Sequence, residues 1–393
     1  METWNREPGT LNFRLPPIYA ITDGTASTAE DVARAADRLF GAGIRLLQVR
    51  ERGLPDRILL DAVEAADRRA REVGATVLVN DRVDVARLVG VGVHVGEEDL
   101  PAAAARRLVA AGAPVGVSTH DPEAARAAFA DPACDYAAFG PIFESPSKPG
   151  RPARGVAALV ALARQKTKPL VAVGGITPER LDEVFGAGAD AAAVIGALFS
   201  EGRLEENARS LLDRTRRQSP PGRVFLVGFM GSGKTAIGRR VAARLGIPFV
   251  DLDAEIERTS GLTIRAIFET AGETAFRERE SAFLRGTEAL PHAVVSTGGG
   301  SYVSEANRRT IGHLGTAVYL DVAFDAIRER LAGKTDRPLF VNAAQASSLH
   351  AEREPFYRMA PVRVALNGRE SIEESADKVL SAVYDRRELA VSF

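Results

Sequence analysis

Residues 223–246 read RVFLVGFMGSGKTAIGRRVAARLG, an apolar run, a glycine-rich turn and a stretch with helical spacing. Gly228, Gly233, Lys234 and Thr235 satisfy G-x-x-x-x-G-K-[ST], with an apolar strand before the motif and a helix-compatible segment after it. Glycines there let backbone N–H groups wrap phosphates at a helix N-terminus, the lysine offers a point charge, and the threonine hydroxyl supplies an oxygen to Mg2+. The stretch therefore predicts an α/β domain with a parallel sheet flanked by helices, holding a nucleotide. It leaves open what receives the phosphate and what the preceding two hundred residues do.

The 393 residues exceed what one core usually organises, since domains run about 100–200 residues, so two domains are expected. QSPPG at 218–222 has no apolar period and reads as a linker, which places one domain at 1–217 and another at 223–393. With 45% hydrophobic and 26% charged residues and a formal net charge of -1, there is no basic excess to attract nucleic acid or an acidic membrane. No apolar run is long enough to span a bilayer, METWNREPGTLNF lacks a signal-peptide core, and a cytoplasmic location is expected. One cysteine, Cys134, excludes an internal disulfide framework and reads as a small buried side chain.

Working upstream, eight short apolar runs appear: IYAITD, LLQVRE, VLVND, GVHVG, VGVSTH, YAAFGPIF, LVAVGGI and AAVIGALF. Stretches suited to helices separate most of them, a pattern that fits a closed (β/α)8 TIM barrel, with a doubly wound open sheet as the alternative. Nearly every run ends in a group able to do chemistry: Asp23, Gln48 and Arg50, Asn80 and Asp81, His94, Ser118 and His120. Taken singly, such residues merely begin loops. In a barrel, however, the strand ends converge on one mouth.

In that mouth Asp81 and Asp99 could hold Mg2+, which prefers carboxylate oxygens and keeps several waters. Arg50, Arg52 and Lys148 could neutralise a pyrophosphate. Gly174, Gly175 and Gly196 fall after the seventh and eighth expected strands, where barrels often bind phosphate through backbone N–H groups. Two anionic ligands are implied.

Over residues 15–215 the sequence resembles thiamine-phosphate synthase, through QVRER, NDRVDVA, GVHVGEEDLP, GVSTH, DYAAFGPIFESPSKPG and VAVGGI. The resemblance implies a (β/α)8 barrel that joins hydroxymethylpyrimidine diphosphate to a thiazole phosphate and releases pyrophosphate. It implies that Gln48, Arg50, Asn80, Ser118, Ser147 and Lys148 contact the pyrimidine diphosphate, Asp81 and Asp99 the Mg2+, and Ser145 with the late glycines the thiazole phosphate. Arg52 stands where the family commonly has lysine, and Ser145 and Ser147 where it has threonines, so charge and hydroxyl are kept. Departure of the pyrophosphate would leave a stabilised pyrimidine cation for the thiazole nitrogen to attack, with no protein nucleophile. Related barrels tautomerise the thiazole phosphate, with His120 as a candidate proton shuttle; the carboxylate pair favours the synthase, and a non-catalytic regulatory barrel ranks third.

Downstream, FVDLD brings Asp251 and Asp253 one residue apart; in a strand both would project toward one face, one for the metal and one for a substrate hydroxyl. GETAFRERE puts Arg277 on a helix, able to grip a carboxylate through two parallel hydrogen bonds. AVVSTGGG ends a further strand in Gly298, Gly299 and Gly300, where no side chain blocks a small ligand. AGKTDRPLF with Arg337, followed by VNAAQASSLHAE, suits a mobile lid, and REPFYRMA supplies Arg353.

These pieces, in this order from residue 223 to about 388, closely resemble shikimate kinase, of the nucleoside-monophosphate-kinase-like P-loop fold. The resemblance implies that Gly231, Ser232, Gly233, Lys234, Thr235 and Ala236 hold ATP, with Arg330 near the adenine and Arg337 over the phosphates. It implies shikimate bound by Asp253, Arg277, the glycines Gly298, Gly299 and Gly300, and Arg353, and Mg2+ organised by Thr235 and Asp251. Lys234 and Arg337 would stabilise the transferring phosphoryl group, with Asp253 orienting the attacking hydroxyl. Gluconate-type kinases are the alternative, but they have no reason to carry two carboxylate-binding arginines beside a glycine cradle. The expected partners are small molecules: ATP, shikimate, the pyrimidine diphosphate and the thiazole phosphate.

Overall fold

The computed structural model describes residues 15–144, 152–218, 220–331 and 343–390. Ser145, Ser147, Lys148 and Arg337 lie outside the described residues. The chain divides into two compact units, Met1–Gln218 and Ser219–Phe393.

In the first unit, β1 (Ile18–Ile21), β2 (Leu46–Val49), β3 (Thr76–Asn80), β4 (Gly92–Val95), β5 (Val115–Thr119), β6 (Tyr136–Phe139), β7 (Leu170–Val173) and β8 (Ala191–Val194) form a closed parallel barrel. Tyr19 pairs with Ala193 where β1 meets β8. The alternative open sheet is thereby excluded. Successive strand residues face opposite sides. Tyr19, Leu46, Leu78, Tyr136, Val171 and Ala191 fill the barrel interior, while Ile18, Leu47, Val77, Val93 and Ala137 pack outward against the helices.

Those helices follow local chemistry. Thr28 caps the helix Ala29–Gly41 in a capping box with Asp31, and Val32, Ala36, Leu39 and Phe40 bury one face. Each leucine-sized side chain so buried contributes roughly 1.5–3 kcal/mol. Cys134 is buried, its thiol pushed up to about 12 chiefly by burial, and Sγ donates to the Tyr136 carbonyl at 3.1 Å. The eighth strand stops at Val194, and Gly196–Phe199 turns into a short helix.

The second unit has β9 (Arg223–Val227), β10 (Phe249–Asp251), β11 (Ala293–Ser296), β12 (Gly315–Val322) and β13 (Val362–Leu366), all parallel, in the order β10-β11-β9-β12-β13. β9 sits at the centre, so the glycine-rich turn after it opens amid the carboxyl ends of its neighbours, where ligands bind open α/β sheets. One local expectation is corrected by the structure. The strand ends at Asp251, which N-caps the helix Leu252–Ser260, so Asp253 stands in a first helical turn rather than on the strand. A side-chain carboxylate that can accept a backbone N–H favours starting a helix over extending the strand. Of the stretch read as a lid, residues 332–342 lie outside the described residues, and the rest belongs to the helix Ala343–Tyr357, as its alanines and glutamates favour. His350 of that helix packs its ring 5.1 Å from both Phe229 and Phe324.

Among the described residues no helix is long and apolar enough to cross a membrane.

Candidate active sites

The glycine-rich turn is shaped by its backbone. Gly233 has φ +96° and precedes the helix Lys234–Leu245, a conformation strained for any side chain. Lys234 Nζ donates to the carbonyls of Gly228 at 2.8 Å and Phe229 at 2.9 Å, so the ammonium spans the turn. Ser232 Oγ is fully buried and lacks a hydrogen-bond partner, an unmade bond inside a turn lined by Gly231 and Gly233. Thr235 and Ala236 are exposed in the first helical turn. Thr235 Oγ1 donates to Asp251 Oδ2 at 2.7 Å and lies 3.5 Å from Ser296 Oγ. These hard oxygens are the donors Mg2+ takes, so the residues fit that ion. Arg330 donates to the Gly368 carbonyl at 2.8 Å, and its Nη1 stands 4.0 Å from where a Cβ on Gly233 would be.

Beside the turn, elements distant in sequence meet at the three glycines after β11. A Cβ on Gly300 would lie 2.5 Å from Arg277 Nη2, and one on Gly298 would lie 2.8 Å from Asp253 Oδ1 and 2.7 Å from Glu280 Oε1. Gly299 faces the Met230 amide and Arg353. Arg277 donates to Glu280 at 2.9 Å and to Glu273 at 3.1 Å. Burial opposes its charge, yet the two glutamates outweigh this and hold its pKa above the usual arginine value. Tyr357 donates to the Gly299 carbonyl, and burial pushes its hydroxyl up to about 12 against the pull of Arg353. Asp253, Arg277 and Arg353 thus converge on Gly298–Gly300.

Glu280, buried completely, was not singled out in the sequence. Its signal was available: three residues after Arg277 on a helix, it shares that face. Tyr357 had no such signal, because its hydroxyl role depends on a strand from elsewhere.

In the barrel, the inward residues at the carboxyl ends of β2 to β5 are Gln48, Asn80, His94 and Ser118. Gln48 Nε2 and Asn80 Nδ2 are buried with no hydrogen-bond partner, so two amide donors await acceptors. Asp81 has φ +62°, a conformation uncommon outside glycine but most tolerated by Asp and Asn. Burial raises its pKa first, its hydrogen bond with Asp99 raises it further, and Arg52 pulls the other way. Two carboxyls in contact must share a proton or a cation. With several waters a divalent ion needs few protein ligands, so the pair fits Mg2+. Among the described residues no group of three or more His, Cys, Asp or Glu could hold a metal ion.

Arg52 Nη2 donates to Asp81 Oδ2 at 2.8 Å. Arg50 is depressed below the usual arginine value by burial and then by Arg52, two like charges that an anion would relieve. Gly174, Gly175 and Gly196 line a cavity of about 700 Å³ with Thr177, Ala197 and Asn207. His120 Nδ1 donates to the Gly140 carbonyl at 2.7 Å. A hollow of about 360 Å³ at the opposite ends of β3 to β5, lined by Asp67, Arg71, Gly92 and Pro114, holds none of the expected site residues.

The family model described as thiamine monophosphate synthase matches residues 18–198, and the shikimate kinase model matches residues 230–384. A thiamine-phosphate synthase of Methanoculleus marisnigri is 41% identical over 211 residues, covering 52% of this chain and 98% of that protein. A shikimate kinase of Ruegeria pomeroyi is 43% identical over 170 residues, covering 42% of this chain and 87% of that protein. A solved shikimate kinase from Acinetobacter baumannii in complex with shikimate is 31% identical, with a TM-score of 0.39, covering 46% of this chain and 97% of that one. The barrel half of this chain therefore belongs to the thiamine monophosphate synthase family and the other half to the shikimate kinase family, both of them families of transferases.

Proposed function

We propose that the chain carries two activities. Residues 223–393 transfer the γ-phosphoryl group of ATP to shikimate, giving ADP and shikimate 3-phosphate. Residues 1–217 join hydroxymethylpyrimidine diphosphate to thiazole phosphate, giving thiamine phosphate and pyrophosphate. The observation that carries the first is the meeting of Asp253, Arg277 and Arg353 around Gly298–Gly300, next to the turn spanned by Lys234. Two arginines suit one carboxylate, and an aspartate suits a hydroxyl.

In the kinase reaction Asp253 accepts the hydroxyl proton as the shikimate oxygen bonds to the γ-phosphorus, and the bridging oxygen leaves with ADP. Arg277 and Arg353 hold the carboxylate, so the reacting oxygen is positioned in line. Lys234 exchanges the Gly228 and Phe229 carbonyls for phosphate oxygens, and the Ser232 hydroxyl gains the partner it lacks. Thr235 with Asp251, and Asp81 with Asp99, would hold Mg2+, which would supply charge neutralisation on the phosphates in both sites.

In the barrel, the carbon–oxygen bond to pyrophosphate breaks, the electron pair leaves with that group, and the thiazole nitrogen forms the new carbon–nitrogen bond. Arg50 and Arg52 meet the leaving charge; Gln48, Asn80 and Ser118 orient the pyrimidine diphosphate. Gly174, Gly175 and Gly196 admit the thiazole phosphate to the 700 Å³ cavity. Positioning and charge stabilisation do the chemistry.

The test assays the purified full chain for both products, then repeats with Lys234→Ala and Asp81→Ala. Lys234→Ala is expected to abolish shikimate phosphorylation and keep thiamine phosphate formation; Asp81→Ala is expected to do the converse. Retention of the targeted activity in either variant refutes that site.

A further inference from the structure

A hydrogen-bonded line of four side chains runs through the barrel interior and is only partly used by the mechanism above. Tyr19 Oη lies 2.9 Å from Tyr136 Oη, Tyr136 Oη lies 2.9 Å from His94 Nδ1, and His94 Nε2 lies 2.8 Å from Ser118 Oγ. Tyr19, Tyr136 and His94 are buried, at 1%, 0% and 7% exposure. The rings of His94 and Tyr136 stack with centroids 5.6 Å apart, and Tyr19 meets Tyr136 edge to face at 5.9 Å. Gly116 makes room for the line, since a Cβ there would lie 2.0 Å from Tyr136 Cζ.

A neutral imidazole has one N–H and one lone pair, so one hydroxyl neighbour donates to His94 and the other accepts from it. A phenol O–H is intrinsically a stronger hydrogen-bond donor than an aliphatic hydroxyl. Chain order agrees: if Tyr19 donates to Tyr136, Tyr136 to Nδ1, and Nε2–H to Ser118, the protons of Tyr19, Tyr136 and His94 are all used within the line. In the reverse direction the Tyr19 proton would need another acceptor in a fully buried place, where an unmade bond is costly. Bonds running one way also polarise one another. The Ser118 proton is then left to point into the mouth.

We propose that Tyr136 is a positioning residue for the barrel reaction: through His94 it fixes Ser118 as a hydrogen-bond donor to an acceptor atom of the bound pyrimidine diphosphate. This rests on the synthase reading given above. Tyr19 extends the same line and holds Tyr136 in its donating direction. Both tyrosines are buried beneath the mouth and act through Ser118 rather than by direct contact in this proposal.

The test has two readouts on the full chain. The first is the tautomer of His94 by 15N spectroscopy of histidine-labelled protein without substrate, with the signal assigned by its loss in His94→Gln. The relay requires Nε2–H with an unprotonated Nδ1 in the wild type, and a shift toward Nδ1–H in Tyr136→Phe. The second is steady-state thiamine phosphate formation. Tyr136→Phe, which keeps the stacked ring, is expected to lower kcat about tenfold with KM values within about twofold, and to cost under about twofold more when added to Ser118→Ala. Tyr19→Phe, which spares the Tyr136 bond to His94, is expected to lower kcat about threefold and keep the tautomer. An Nδ1–H tautomer in the wild type, or wild-type kcat in both tyrosine variants, overturns the relay. Absence of thiamine phosphate formation by the wild type would overturn the barrel's activity instead, and the tautomer would still decide the direction of the line.

Discussion

Glu280, fully buried, accepts a hydrogen bond from Arg277 Nη1 at 2.9 Å and another from Ser301. The pair lies three residues apart on one helix, so a single element carries both the arginine and the carboxylate that aims it. Because the carboxylate cannot move to solvent, the guanidinium is held against Gly300.

Removing that anchor should loosen the grip on the acid. Glu280→Ala is expected to raise the KM for shikimate about 10- to 100-fold, the scale of a lost hydrogen bond to a charged group, with the KM for ATP within about threefold. Steady-state kinetics with each substrate varied in turn reads the split. An equal rise in both constants would mean general disorder rather than a lost aim.

Gly300→Ala attacks the same contact from the strand side. The new Cβ would stand 2.5 Å from Arg277 Nη2, so the guanidinium must shift. Its flexible stem lets the fold survive, and the loss should fall on shikimate affinity, by about tenfold, the scale of ~1.4 kcal/mol. Calorimetric titration of shikimate into the variant measures this; unchanged affinity would place the acid elsewhere.

Asp81 carries a pH signature. Its pKa in the folded barrel is raised, first by burial and then by Asp99, above its unfolded value. The unfolded chain therefore loses this proton at lower pH, and metal-free stability falls as pH rises through the folded pKa. Arg52 offsets little, being 65% exposed at the side chain. Asp81→Asn is thus expected to raise the melting transition of the metal-free barrel by about 2–4 °C at pH 7, the response to ~1 kcal/mol in a domain of about 200 residues. The difference should vanish at acid pH, below the unfolded carboxylate value. Scanning calorimetry in EDTA at both pH values tests it, and a lower transition for the variant at pH 7 contradicts the argument.

Gly116→Ala should damage the barrel as a whole. The added methyl would overlap the Tyr136 ring, which is fully buried and has no space to retreat. Overpacking of this kind costs about 1–3 kcal/mol or more. Urea unfolding followed by the barrel's signal should show the lower midpoint, while shikimate phosphorylation by the other unit is retained.

Much of the architecture was legible because it rests on period and local chemistry. Each of the eight apolar runs marks one barrel strand, and the longest continue past it: YAAFGPIF beyond Phe139, LVAVGGI beyond Val173 and AAVIGALF beyond Val194. The G-x-x-x-x-G-K-[ST] turn was legible for the same reason, since its glycines answer to local backbone geometry. Asp253 was misplaced on a strand because alternation was assumed to continue past Asp251, whose carboxylate instead starts a helix. The pairing of Arg52 with Asp81 joins the ends of two strands and leaves no trace in either segment.

By itself, then, the sequence determined the element types, the phosphate-holding turn and the residues able to do chemistry, because dihedral preference, capping and hydrophobic period act over a few neighbouring residues. Only the tertiary structure decided which of those residues meet across elements: Glu280 against Gly298 and Ser301, and Tyr19 with Tyr136, His94 and Ser118 across the barrel. The physical reason is that a buried polar group must find its partner through space. Barrel closure and strand order bring together atoms separated by 117 positions between Tyr19 and Tyr136, a distance over which no local pattern in the chain carries information.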